Sequence, residues 1–284
     1  MNIEESYRYC SKVARSQAKN FYYSFLFLPE RKRQGISAVY AFMRVTDDIA
    51  DNPSSLDSKK ESLNLWKNKI QNFVNRSDLS HPVFPALKDT LEYFQIPDQY
   101  LFELIEGVHM DLLPRRFSNF EDLYPYCYKV ASVVGLVCLH IFGFKDKEAL
   151  VHAEACGIAF QLTNILRDLR EDAQMGRIYL PLKDLERFGY TERELMDGRL
   201  NRAFQNLMQF EVERTEEYYK KAEPLIHYID PDSRHALRVM IAIYYEILTK
   251  IKKKDYDTLS QRISLSPWEK ARIIILNLIK NPKR

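Results

Sequence analysis

Glycine is scarce in this chain, with 8 residues in 284. That number is too small for glycine-rich nucleotide folds or many-turned β architectures. Neither G-x-G-x-x-G nor G-x-x-x-x-G-K-[ST] occurs, which excludes both common phosphate-cradling fingerprints. No one sign of charge dominates: 42 Lys and Arg against 39 Asp and Glu leave +3. A dedicated nucleic-acid binder concentrates a larger positive excess, so no nucleic-acid partner is expected. Cys10, Cys127, Cys138 and Cys156 show no C-x-x-C spacing and lie in apolar or helical contexts. They read as reduced, buried thiols of a cytoplasmic protein rather than a disulfide framework. The six histidines have no ligand spacing, and no Ser-His-Asp or Cys-His arrangement stands out. Long apolar runs are missing too, since no stretch reaches the ~18 residues of a spanning helix. The longest, Val130 to Phe144, is interrupted by Gly135 and His140 and reads as a buried helix. Met1 to Lys19 is polar and charged, without the apolar centre of a secretory leader.

What is present is helical periodicity, almost everywhere. Apolar residues recur at three- and four-residue intervals over Gly35 to Asp51, Ser58 to Asn75, Pro85 to Phe94 and Gln99 to Asp111. The same spacing covers Phe120 to Phe142, Lys147 to Asp172, Glu192 to Ala222, Pro231 to Lys254 and Pro267 to Ile279. Breaks fall at Asn52-Pro53, His81-Pro82, Ile96-Pro97, Gly143, Gly176 and Pro224, where turn chemistry stops a helix. Ser58 and Pro267 read as helix starts, and Arg177 to Leu180 as a short extended piece. The pattern predicts one all-α domain over residues 1–284, about ten helices around a central cavity. The apolar run Ile273 to Ile279, flanked by Arg272 and Lys280, fits either a packed terminal helix or one touching a membrane surface.

Two acidic clusters interrupt the ordinary pattern. Asp47 and Asp51 stand four residues apart in Asp47-Asp48-Ile49-Ala50-Asp51, and so do Asn164, Asp168 and Asp172 downstream. Residues at i, i+4 and i+8 share one helix face, so each segment presents a stripe of oxygen ligands. Stacked like charges weaken a helix by a few tenths of a kcal/mol per pair unless a cation lies between them. Facing stripes would suit a hard divalent ion, which would in turn hold phosphate. Gln161 and Asn164 carry the second stripe into the apolar run Gly157-Ile158-Ala159-Phe160. Left unpaired there, the two amides would cost several kcal/mol. A ligand or metal resolves that cost; the alternative is a hydrogen-bonded core pair with exposed acids.

With Gln161 to Pro181 as its strongest block, the chain resembles the squalene/phytoene synthases, which join two allylic isoprenoid diphosphates head to head. The resemblance runs from about Cys10 to Ser266. It includes Phe21 with Leu26-Phe27-Leu28-Pro29, Tyr40-Ala41-Phe42 with Arg44, Asp111-Leu112 with Arg116-Phe117, and Tyr126 through Gly135. It implies that Asp47, Asp51, Asn164, Asp168 and Asp172 ligate a Mg²⁺ cluster, with Asp48 in support. It also implies that Arg44, Arg167 and Arg177 grip diphosphate oxygens, for which a planar guanidinium fork is well suited. Tyr40, Tyr126 and Tyr244 match aromatic positions of the family's reaction chamber. Phe21, Val130, Ala131, Val134 and Gly135 would wall the prenyl tunnels, together with Cys138, Gly157, Phe160 and Gln161. One departure is Ala18-Lys19-Asn20 before Phe21, where many relatives carry a serine and a hydroxyl-rich turn; Lys19 would contact phosphate instead.

The chemistry agrees with the residues. Ionising an allylic diphosphate makes a carbocation and an anionic leaving group, which departs only against concentrated positive charge. The cation needs a dry chamber with aromatic faces, and the chain has 18 Tyr and 16 Phe to draw on. Within the family, Phe21 to Pro29, Val133 to Val137 and Asp168 to Asp172 look most like bacterial presqualene diphosphate synthases of hopanoid pathways. The expectation is therefore farnesyl diphosphate as substrate, presqualene diphosphate as main product, and no NADPH. Alternatives are 15-cis-phytoene from geranylgeranyl diphosphate, or full squalene or dehydrosqualene synthesis. A terpene cyclase would carry a different second motif. A non-catalytic helical assembly protein would be expected to have lost metal ligands. The expected location is the cytoplasm, with peripheral membrane contact through the C-terminal helix as an option.

Overall fold

The computed structural model describes residues 1–17, 22–75, 78–112 and 115–280, the last three of these by backbone only. The helices are α1 (Ile3–Gln17), α2 (Tyr22–Phe25), α3 (Glu30–Asp51), α4 (Leu56–Val74), α5 (Phe84–Phe94) and α6 (Gln99–Met110). Next come α7 (Phe120–Cys127), a π turn (Tyr128–Ser132), α8 (Val133–Phe142), α9 (Glu148–Gln174), α10 (Leu182–Arg187) and α11 (Glu192–Met196). The chain ends with α12 (Arg202–Ala222), α13 (Leu225–Tyr228), a 3₁₀ turn (Pro231–Ser233), α14 (Arg234–Lys253) and α15 (Pro267–Lys280). The fold is all-α. Among the described residues no strand forms, and one isolated antiparallel bridge joins Phe144 to Ile229.

Three local differences from the sequence pattern have simple causes. α4 starts at Leu56 rather than Ser58, because Ser55 caps it: its hydroxyl accepts from the Ser58 N–H at 3.3 Å. The single helix expected over 192–222 is two, since Gly198 takes φ +67° and ends α11 after Met196. Arg177 to Leu180 forms no strand. The stretches Phe120–Phe142 and Glu148–Gln174 are long and apolar enough to cross a membrane by composition, but 50% and 61% of their windows are buried. Both are core helices.

The helices gather into two compact units. The first comprises Met1–Leu112, Val133–Leu150 and Ile226–Leu237. Here α3 is the hub, packed on α1, α4, α5, α6 and α8. Its C-terminal half is fixed by Trp66, which stacks between Phe42 (6.1 Å) and Phe84 (5.7 Å) and donates its Nε1–H to the buried Thr46 hydroxyl at 2.9 Å. Its N-terminal half is pinned by Lys32. That ammonium donates to the Phe142 carbonyl at the end of α8 (2.8 Å), to Asp232 (2.6 Å) and to Asp230 (3.1 Å). A cation on the last carbonyls of a helix is also favoured by its dipole.

The second unit comprises Leu113–Ser132, Val151–Leu225 and Arg238–Arg284. Phe160 of α9 stacks on Tyr244 of α14 with centroids 4.3 Å apart. Thr163 shares a hydrogen bond with the Tyr219 hydroxyl at 2.9 Å, which joins α9 to α12. A second layer stacks Tyr126 on Tyr179 (5.0 Å) with Phe117 beside both. Arg214 of α12 lies over Phe120 and Phe210 and bonds two buried carboxylates, Asp184 (2.9 Å) and Glu211 (2.7 Å).

Candidate active site

In the first unit, the acid stripe occupies the last turns of α3, just past the Trp66 anchor. A helix C-terminus with an acidic last turn and no basic residue is electrostatically unfavourable. Arg44 compensates in part, pairing with Asp48 one turn on and lying 3.9 Å from Asp51. Asp47 is the recessed member of the stripe, and burial pushes its carboxyl up to about 7. Arg44 opposes that rise, while Asp51, Asp111 and Asp48 add to it. Tyr40, one turn back, is raised by burial as well and feels the same charges. The sequence reading assigned no site role to Asp111, whose place at the C-terminal end of α6 brings its charge to Asp47. On α8, Val134, Gly135 and Cys138 keep part of their surface open, whereas Val133, Leu136 and Val137 are buried. The surroundings of Cys138 still push its thiol up to about 12.

In the second unit, Gln161, Asn164, Asp168 and Asp172 are each half-buried along one face of α9, and the residues between them are mostly core. Asn164 donates weakly to Gln161 Oε1 at 3.4 Å, and its own Oδ1 is buried without a hydrogen-bond partner. Asp168 is clasped by Arg167 Nε at 2.8 Å and by Arg262 Nε at 3.1 Å. Arg262 also reaches Glu171 at 3.4 Å. Arg262 lies in the irregular segment after α14, where no periodicity pointed to it. At the end of α9, Gly176 takes φ +72° and the Arg177 N–H bonds the Asp172 carbonyl at 2.8 Å. That cap turns the chain out of α9 at Arg177. Tyr126 and Tyr244 are buried in the aromatic layers. Val130 and Ala131 lie half-open in the π turn, an irregularity common at functional sites. Lys19 and Phe21 lie outside the described residues.

A family model described as squalene/phytoene synthase matches residues 14–269, nearly the whole chain. The chain belongs to the squalene/phytoene synthase family. The chain is 36% identical to a 15-cis-phytoene synthase of Synechococcus elongatus, over 95% of this chain and 91% of that protein. It is likewise 36% identical to a phytoene synthase of Mycobacterium tuberculosis, over 95% and 90%. A solved dehydrosqualene synthase superposes with a TM-score of 0.90 at 30% identity, covering 98% of this chain and 97% of the other. A squalene synthase of Alicyclobacillus acidocaldarius gives 0.83 at 28%, covering 89% and 95%. As a squalene/phytoene synthase, the protein is a prenyltransferase acting on prenyl diphosphates head to head.

The donor types on the two stripes, carboxylates and an amide, would suit a hard divalent cation. Among the described residues no three His, Cys, Asp or Glu side chains gather around one point. Mg²⁺ is commonly held by one or two carboxylates plus substrate phosphates rather than by an all-protein cage. Each stripe supplies such a set: Asp47 and Asp51 on α3, and Asp168 and Asp172 with Asn164 on α9. The unsatisfied Asn164 oxygen is the specific mark, a buried acceptor that a cation or its bound water would satisfy.

Gly157 packs closely on the π turn. It is buried, and a Cβ there would lie 2.4 Å from the Ser132 Cα and 2.6 Å from its N. Ser132 is tied down in turn by its hydroxyl, which donates to the Glu154 carbonyl at 2.8 Å. Because backbone atoms must move, Gly157→Ala is expected to destabilise the protein by about 2 kcal/mol or more. The displaced π turn should also lower turnover. Thermal melts and steady-state rates check this, and an unchanged melting temperature would show that the contact is loose.

Proposed function

We propose that this chain condenses two molecules of geranylgeranyl diphosphate to 15-cis-phytoene, releasing two diphosphates, with Mg²⁺ as the metal. The observation that carries this reading is the 36% identity, over almost the whole length of both chains, to proteins named phytoene synthases. The presqualene diphosphate reading finds less support. A farnesyl-using, thirty-carbon reading keeps one observation in its favour, the TM-score of 0.90 to a dehydrosqualene synthase. The family match runs through both compact units, so we treat residues 1–284 as one catalytic domain, with a cytoplasmic location.

In this reading the two acid stripes hold the metal-bound diphosphates through Asp47 and Asp51, and through Asn164, Asp168 and Asp172. Bound there, Mg²⁺ would neutralise charge developing on the leaving diphosphate. Arg44, Arg167 and Arg177 supply guanidinium donors for the same oxygens. Arg44 and Arg167 pair with Asp48 and Asp168. Those pairs keep the cations beside the carboxylates, in place for an anionic ligand. The aromatic faces of Phe160, Tyr244 and Tyr126 exclude water and favour a passing carbocation. The second half of the reaction then ends when the cation loses a proton rather than gaining a hydride, so no NADPH is required for phytoene.

The test is incubation of purified protein with geranylgeranyl or farnesyl diphosphate, with Mg²⁺ and with or without NADPH, followed by product identification. Phytoene from the longer substrate, unaffected by NADPH, is the expected result. Presqualene diphosphate or dehydrosqualene from farnesyl diphosphate, with no product from the longer chain, would overturn it.

A further inference from the structure

The outer face of α15 serves none of the chemistry above, yet it is unusually exposed for its composition. Trp268 is 85% exposed, Ile275 54% and Leu276 40%, and Arg272 between them is exposed as well. Offsets of four, seven and eight residues put all four on one side of the helix. The start of the helix is pinned inward. Glu269 accepts from Lys250 at 2.8 and 3.1 Å and from the Ser266 N–H at 2.6 Å, while the Ser266 hydroxyl accepts from the Glu269 N–H. Lys250 and then Ser266 hold that carboxyl down at about 2. The helix start is therefore fixed by a capping box and an ion pair, and its single carboxylate is drawn away from the outer face. The helix sequence from Pro267 to Lys280 holds three Lys and Arg against that one Glu.

We propose that this face docks on the surface of an anionic lipid bilayer. A tryptophan, two aliphatic side chains and an arginine on one face, in a helix with excess cations, have the composition that lies in a membrane interface. The aliphatic groups enter the acyl boundary, the indole sits at headgroup level, and the cations meet lipid phosphate. A second copy of the chain suits the face less well. An isologous contact would bring the same cations of both copies together. Three apolar side chains on one helix also fall far short of the ~800 Å² per partner of a stable interface. The docking does not depend on which prenyl product the protein makes.

The full chain should bind vesicles of phosphatidylcholine with phosphatidylglycerol, and bind pure phosphatidylcholine about tenfold more weakly. Trp268 reports the event directly. The other tryptophan, Trp66, is 6% exposed and stacked between two phenylalanines, so a blue shift in emission on adding vesicles comes from Trp268. The Trp268→Ser, Ile275→Ser double variant should weaken vesicle binding by about tenfold or more, with an unchanged melting temperature. Arg272→Glu, which leaves the apolar groups in place, should weaken binding to anionic vesicles alone. Condensation of detergent-solubilised substrate should be the same in every variant, which separates this proposal from the catalytic one. No sedimentation with anionic vesicles, equal binding to both compositions, or binding unaffected by the double variant would each overturn it. So would self-association that disappears with the same substitutions, which would assign the face to a second copy.

Discussion

Alanine in place of Asp51 is expected to lower the condensation rate by about 10³-fold, the scale of losing one preorganised electrostatic contact to a reacting group. The fold should be untouched, because the Asp51 side chain is 71% exposed and its nearest cation is 3.9 Å away. Such a surface change alters stability by about 0.5 kcal/mol or less. Asp168→Asn should reduce the rate comparably but behave differently in a melt. Asp168 is only 18% exposed and neutralises Arg167, itself 13% exposed, so its loss should lower the melting temperature as well. Diphosphate with Mg²⁺ should stabilise the unaltered protein in a thermal shift and stabilise both variants less. Turnover close to normal in Asp51→Ala would sink the metal assignment for α3.

The largest effect on stability is expected at Arg214, far from the acid stripes in sequence role. Arg214→Ala strands Glu211 and Asp184, whose side chains are 3% and 12% exposed. Removing one partner of a buried ionic cluster costs about 3–5 kcal/mol, which for a chain of this size lowers the melting temperature by about 10 °C. Above about pH 8, where Glu211 is ionised, the cost should shrink when Glu211→Gln is added, since that stranded charge is then gone. Burial, partly opposed by Arg214, pushes the Glu211 carboxyl up to about 8 from its ordinary 4.5. The native state therefore holds a proton that the unfolded chain releases between about pH 4.5 and 8, and stability falls as pH rises through that window. Glu211→Gln should remove about half of this slope in melts taken across the range. A slope of the same sign and similar size, due to Asp47 with its carboxyl pushed up to about 7, should persist at pH below about 7. A slope identical in the variant would show that Glu211 is not the group responsible.

The helices and the acid stripes were legible because both rest on local spacing. Asp47 and Asp51, or Asn164, Asp168 and Asp172, share a face whatever the rest of the chain does. Residues brought to these groups from elsewhere were not legible. Arg262 reaches Asp168 from an irregular segment, and Asp111 acts on Asp47 from the end of another helix. Asp184 and Arg214 meet only because α10 and α12 pack together. The packing of Gly157 on Ser132 depends on the π turn, and no periodicity announces a π turn. The break at Gly198 was hidden by helical spacing on both sides of it. Spacing gave α15 an apolar face, but it could not say that the face looks outward; the exposure of Trp268 does.

Counting diphosphate against product tests the central claim most directly. With geranylgeranyl diphosphate and Mg²⁺, the account predicts two diphosphates released for each phytoene formed, and none when the metal is chelated. One diphosphate per product, with a cyclopropyl diphosphate accumulating, would contradict it.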